Sequence, residues 1–174
     1  MHSKFPGLNL ESKALLSHII CRCAALGLHC SPVKSQKLLY LCYGRVLAEC
    51  GLRLTNEQPK IWRSGPAFPK AWQAQREHRL KLDQGAELMA ERCPQHILQV
   101  IDQTIESFGR YSAETLSVWL RRPGSAWATG SQQGKFLYQD LSDELTAACF
   151  KRARLPVFLS PACTERSAQQ SCAS

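Results

Sequence analysis

Apolar side chains recur at spacings of three and four residues along much of the chain, which places them on one face of an α-helix. Residues 10–26 carry Leu15, Leu16, Ile19, Ile20, Cys23, Ala24 and Leu26 in this pattern, and with Asn9 as N-cap and Gly27 as the stop they predict a first amphipathic helix. Ser31 and Pro32 open a second helix over 32–50, because a serine hydroxyl accepts from an otherwise orphan amide and a proline at the first helical position has no amide to satisfy. That helix ends at Gly51 and is apolar on more than one face through Val33, Leu38, Leu39, Leu41, Cys42, Val46 and Leu47. A helix wet only along a narrow stripe belongs at the centre of a fold.

The pattern then changes. In 52–63, Leu54 on one side and Ile61 with Trp62 on the other flank an Asn/Glu/Gln/Pro turn, which predicts two short strands in a small hairpin, the second held to a sheet edge by Pro59. Gly65 and Pro66 break the chain, and Phe68, Ala71, Trp72 and Gln75 carry the helical period towards Arg79. Mixed charge and Gly85 make 80–92 a loop with a short helix, after which Pro94 opens a helix striped by Ile97, Val100, Ile101, Thr104, Ile105 and Phe108. Ser112 caps a fifth helix that Pro123 and Gly124 end, 121–134 read as loop, and a last helix covers about 139–153. The sum is a mainly α protein: one compact helical domain of about six helices over residues 1–153, a short β-hairpin near 52–63, and a flexible polar tail over 154–174.

Composition narrows the class. With 174 residues and 44% hydrophobic residues the chain can bury a core without disulfides or metal, so wholesale disorder is excluded. No apolar run approaches the roughly 18 residues that a membrane span needs, so no membrane partner is expected. The first 20 residues have neither an unbroken apolar segment nor a cleavage site of the secretory kind, and the nine cysteines include no Cys-x2-Cys pair. Both observations predict reduced thiols in a cytoplasmic setting. The 22 basic against 14 acidic residues leave a net charge of +8, which favours an acidic or polyanionic partner.

Signatures of catalysis are near misses. Gly130 to Lys135 imitates a phosphate loop but has three residues between its glycines instead of four, and Phe136 stands where a magnesium-binding hydroxyl belongs. No nucleophile elbow or His-Glu-x-x-His helix occurs. His18, Cys21, Cys23, His29 and Cys30 are the densest set of metal-ligating types, yet on a helix Cys21 and Cys23 point to nearly opposite sides, so the set does not converge. The reading is therefore of a non-enzyme with no catalytic residues, no metal and no cofactor. Basic residues cluster as Arg76, Arg79 and Lys81, as Arg121 and Arg122, and as Lys151, Arg152 and Arg154, while Trp62 and Trp127 border loops.

Four segments carry a family resemblance: S-P-V-K-S-Q-K-L-L-Y-L at 31–41, K-I-W-R-S-G-P-A at 60–67, Y-S-A-E-T-L-S at 111–117 and G-S-A-W at 124–127. In order and spacing, across about residues 10–152, the chain resembles the Panacea domain family of SocA-like antitoxins and phage-associated GepA-like proteins. It departs from that family's pattern at Ala67 for a valine, at Ile61 for an alanine, and at Leu120-Arg121 for a Thr-His pair. The resemblance implies a helical domain that neutralises a protein toxin by direct contact, in some members as an adaptor delivering it to a AAA+ protease. A neutralising surface needs a few aromatic or arginine anchors. The candidates are Trp62, Arg63, Gly65, Pro66, Arg121 and Trp127, presented to an acidic partner if the loop after Trp62 lies beside the loop before Trp127. The alternative, from the net charge and the basic clusters, is a nucleic-acid-binding regulator.

Overall fold

A computed structural model describes residues 3–153. Eight helices and four short strands follow one another among the described residues: β1 (Gly7–Leu10), α1 (Ser12–Ala25), α2 (Pro32–Cys50), β2 (Arg53–Thr55), β3 (Lys60–Trp62), β4 (Gly65–Ala67), α3 (Pro69–Arg76), α4 (Leu82–Arg92), α5 (Gln95–Phe108), α6 (Ala113–Leu120), α7 (Ala126–Gly130) and α8 (Asp143–Arg152). The predicted tail over 154–174, with Cys163 and Cys172, lies outside the described residues.

Helix α2 is the axis of the fold, as its many-sided apolar pattern predicts. Leu38 through Tyr43 are six consecutive residues each no more than 1% exposed, and α2 packs on α1, α5, α6 and α8. Its ends follow the expected chemistry: Ser31 Oγ accepts from the Lys34 amide at 3.3 Å, and Gly51 stops the helix at φ 65°, a left-handed conformation that costs glycine little. Ser112 caps α6 in the same way at 3.1 Å.

The structure corrects the sequence reading in several places. Asn9 does not cap α1; it sits in β1 at φ 55°, and the cap position belongs to Glu11, which makes no side-chain cap bond. Within 80–92, read as loop with a short helix, residues 82–92 are a full helix of 11 residues, because Gly85 is a packing position: a Cβ there would fall on the Ser17 side chain of α1. The stretch 121–134 contains α7, started by Ser125, whose hydroxyl accepts from the Ala128 amide at 3.1 Å. The last helix starts at Asp143, capped by Ser142, and Asp140 before it forms an isolated antiparallel bridge with Lys60.

The 52–63 strands exist but do not pair with each other. β2 runs parallel to β1, Gly7 opposite Arg53 and Leu10 opposite Thr55, whereas β3 forms an antiparallel hairpin with β4, Trp62 opposite Gly65. Nor does Pro59 leave β3 at an edge. On its other side the Ile61 amide donates to Gln139 O at 2.9 Å, the Tyr138 amide donates to Ile61 O at 2.6 Å, and the Leu141 amide donates to Pro59 O at 2.8 Å. A proline removes only its own donor, and here the ladder uses its carbonyl.

A buried polar cluster fastens this sheet region to the helices. Asp143, 2% exposed, accepts from Tyr43 Oη at 2.6 Å and Gln58 Nε2 at 3.0 Å, and pairs with Arg53 Nε at 2.8 Å. Gln58 also donates to Leu141 O at 2.6 Å. The turn 56–59, β2, α2 and α8 are thereby held in one register.

Candidate interaction site

The β3–β4 hairpin turns through Arg63 and Ser64, both exposed, and closes on Gly65 at φ 117°. Such a backbone suits glycine alone, which explains the residue at this bend. Trp62 enters the turn half-buried, its indole edge-on to Trp72 at 5.9 Å between ring centroids. Gly65 and Pro66, by contrast, are buried. They shape the hairpin from below and offer no side-chain surface of their own.

The second predicted segment lies directly alongside. Trp127, on α7 and 9% exposed, donates its indole Nε1–H to Trp62 O at 2.7 Å, so it belongs to the core and supports the hairpin from behind. Arg121, at the C-terminal end of α6, donates from Nε to Ser117 O at 3.2 Å and from Nη1 to Arg63 O at 3.5 Å, with its guanidinium carbon 5.9 Å from the centre of the Trp127 ring. Trp62, Arg63, Ser64, Arg121 and Tyr138 line one open cleft. Of the six residues singled out in the sequence, Trp62, Arg63 and Arg121 face this cleft, and Gly65, Pro66 and Trp127 form its foundation.

Two residues, one lining the cleft and one buried beneath the hairpin, escaped the sequence reading. Tyr138, 63% exposed, is held at φ 65°, an uncommon backbone for an aromatic residue, by the donation of its amide to Ile61. No periodic signal marks a lone loop tyrosine. Lys37 projects from α2 beneath the hairpin and is 1% exposed; its Nζ donates to Pro66 O at 3.3 Å and reaches Ser64 Oγ at 3.5 Å. Its signal was legible, since a lysine immediately before Leu38-Leu39 on a helix apolar on most faces has little water to reach. Burial, reinforced by the neighbouring Arg121 charge, lowers its pKa from the ordinary 10.5 to about 8.

The charge in this cleft is one-sided. The ion pairs among the described residues engage Lys13, His18, Arg22, Arg45, Arg53, Lys60 and Arg79, and none engages Lys37, Arg63 or Arg121. Arg122, the neighbour of Arg121 in sequence, turns elsewhere: it stacks 3.8 Å over the Trp119 ring and donates to Trp119 O at 2.9 Å. The basic clusters named from the sequence thus fall at or just beyond the ends of three separate helices, α3, α6 and α8, with Arg154 outside the described residues.

The cysteine and histidine set at 18–30 is spread from the core to the surface, with Cys23 buried, Cys21 and Cys30 half-buried and His29 exposed. His18 Nε2 lies 2.8 Å from Asp102 Oδ1, Cys23 is buried, and among the described residues no three His, Cys, Asp or Glu side chains gather as metal ligands. No described helix is long and apolar enough to cross a membrane.

Comparison with known proteins agrees with the motif order. The family model described as antitoxin SocA-like, Panacea domain matches residues 36–128, just over half of the chain and a span that holds every cleft residue except Tyr138. No curated protein and no solved structure matches the chain.

Proposed function

Because the chain belongs to the antitoxin SocA-like, Panacea-domain family, we propose that it neutralises a protein toxin by direct contact, with the cleft of Trp62, Arg63, Arg121 and Tyr138 as the contact surface. The observation that carries this reading is the composition of the cleft within the matched span. Tryptophan, tyrosine and arginine are the types that dominate binding energy at protein interfaces, and here they meet around one depression with a rigid backbone behind it. Neutralisation of this kind requires occlusion, not a reaction. Where a bound toxin is instead passed to a AAA+ protease, the same contact serves as the grip.

Co-expression with a toxin encoded beside this chain tests the reading. Growth is rescued and a complex co-purifies, whereas Arg63→Ala and Arg121→Ala lose both while melting at the wild-type temperature. A toxin half-life that shortens only when a AAA+ protease is present identifies delivery; an unchanged half-life identifies occlusion. Absence of both rescue and complex removes the toxin from the reading, and wild-type affinity in both arginine variants moves the interface to another face.

A further inference from the structure

The turn that joins α1 to α2 brings two thiols together. Helix α1 closes on a left-handed Gly27 at φ 67°, where the Leu28 amide reaches back to Cys23 O at 2.8 Å and the Gly27 amide to Ala24 O at 3.0 Å. This paired closure reverses the chain within a few residues, so Cys30, just ahead of the Ser31 cap of α2, returns to the last turns of α1. There its thiol donates a hydrogen bond to Cys23 Sγ. Cys23 is wholly buried and Cys30 half-buried, so solvent reaches the pair through Cys30.

A cation stands beside them. Lys34, in the first turn of α2 and 6% exposed, donates from Nζ to His29 O at 2.7 Å, and among the described residues no carboxylate pairs with it. The hydrogen bond from Cys30 lowers the Cys23 pKa against the opposing effect of burial, and the Lys34 ammonium adds to the lowering. The same bond raises Cys30, so one proton stays between the two sulfurs when the pair ionises. Burial instead pushes Cys21, Cys42, Cys50 and Cys93 up. Because the thiolate is the reactive form of cysteine, the chemistry of this pair is set apart from that of those four.

We propose that Cys23 and Cys30 are an oxidation site, at which hydrogen peroxide closes a disulfide between α1 and the start of α2 and a dithiol reductant reopens it. The retained proton passes to Cys23, and Cys30 Sγ attacks one peroxide oxygen. The O–O bond breaks, Cys30 becomes a sulfenic acid, and the departing hydroxide takes up a proton as water. Cys23 Sγ then attacks Cys30 Sγ, the S–O bond breaks, and a second water leaves with the Cys23 proton. Two thiols are thereby oxidised by two electrons in all, and one peroxide is reduced to two waters. Metal ligation fits the pair less well, since among the described residues no third His, Cys, Asp or Glu side chain completes a set. The site is independent of the toxin-binding reading, whose cleft uses none of these residues.

Peptide mass reads the site directly. Trypsin cuts after Arg22 and Lys34, so Cys23 and Cys30 leave on one peptide, 23–34, and Cys21 on another. The reduced full chain is exposed to a slight molar excess of hydrogen peroxide near neutral pH, blocked with iodoacetamide in urea, digested and weighed. Peptide 23–34 is expected two hydrogens lighter and unalkylated, and takes two alkyl groups when a dithiol reductant precedes the block. The link forms about tenfold faster in the folded chain than in the chain held in urea, because the fold keeps the sulfurs together and favours the Cys23 thiolate. In Cys23→Ser, Cys30 stops at a sulfenic acid that dimedone captures. Alkylation of both cysteines after peroxide overturns the proposal, as does either cysteine linked to a different one, a sulfinic acid at Cys30 in place of the disulfide, or equal rates in folded and unfolded chain. The deciding masses come from the wild-type protein, so the outcome does not hang on whether a variant folds.

Discussion

Replacing Lys37 with methionine isolates the energetics of the buried ammonium. Methionine is close in length and flexibility, so it fills the space under the hairpin. Lys37 has a folded-state pKa lowered to about 8 from 10.5, so between these values the unfolded chain holds a proton that the folded chain has released. Stability therefore rises with pH across this window and the full penalty stands below pH 8. The difference between 10.5 and about 8 corresponds to a penalty of about 3 kcal/mol. Against this, Met leaves Pro66 O without its Lys37 donor, a loss of about 1–2 kcal/mol. At pH 7 the variant is thus more stable than the wild type by roughly 1–2 kcal/mol. Urea titrations of both proteins at half-unit steps from pH 7 to 10.5 are the assay, because the other tyrosines, lysines and cysteines that ionise in this range cancel in the difference. The stability of the wild type relative to the variant climbs by about 3 kcal/mol over the window. A flat difference curve would show that Lys37 is solvated in the folded protein, and would refute the account of the cleft floor as a desolvated cation.

Three further outcomes follow from the same geometry. Asp143→Asn removes the negative charge paired with Arg53 and disturbs the acceptor of Tyr43 and Gln58, so it lowers unfolding free energy by about 3–5 kcal/mol in urea; a midpoint within error of wild type would mean that the cluster is dispensable. Trp127→Ala deletes a core indole and its 2.7 Å bond to Trp62 O, which destabilises by about 3–5 kcal/mol and lowers partner binding through loss of the folded hairpin. Arg63→Ala, on the exposed hairpin tip, shifts stability by no more than about 0.5 kcal/mol while abolishing rescue. Equal stability losses in the Trp127 and Arg63 variants would contradict this division between foundation and contact.

Local chemistry determined the helical elements and several of their ends. Ser31-Pro32, Gly51, Pro94 and Ser112 act within a turn of themselves, through amides that need an acceptor or a backbone only glycine adopts cheaply, so they read correctly from sequence. The apolar stripes of α1, α2 and α5 did the same for most of the core, although Ala24, Leu26 and Val33 at the ends of their stripes are exposed, and the order of four short motifs was enough to name the family. Signals that depend on a distant surface did not read. Gly85 looks like a helix breaker until α1 is beside it, when it becomes the residue that lets two helices touch. Strand pairing was likewise decided from afar: β2 and β3 follow one another in sequence, but β2 found β1 and β3 found β4 and residues 138–141, because a three-residue strand gains too little from its nearest neighbour to choose it. The candidate site divides in the same way. Trp62, Arg63, Arg121 and Trp127 were visible as residue types beside breaks in the chain. Only tertiary structure buried Trp127 behind the hairpin, swung Arg122 away onto Trp119, brought Tyr138 into the cleft and set Lys37 under Gly65 without a carboxylate. Whether a charge is paired depends on what the fold packs within a few ångströms of it, and for Lys37 those neighbours come from residues 27 or more positions away along the chain.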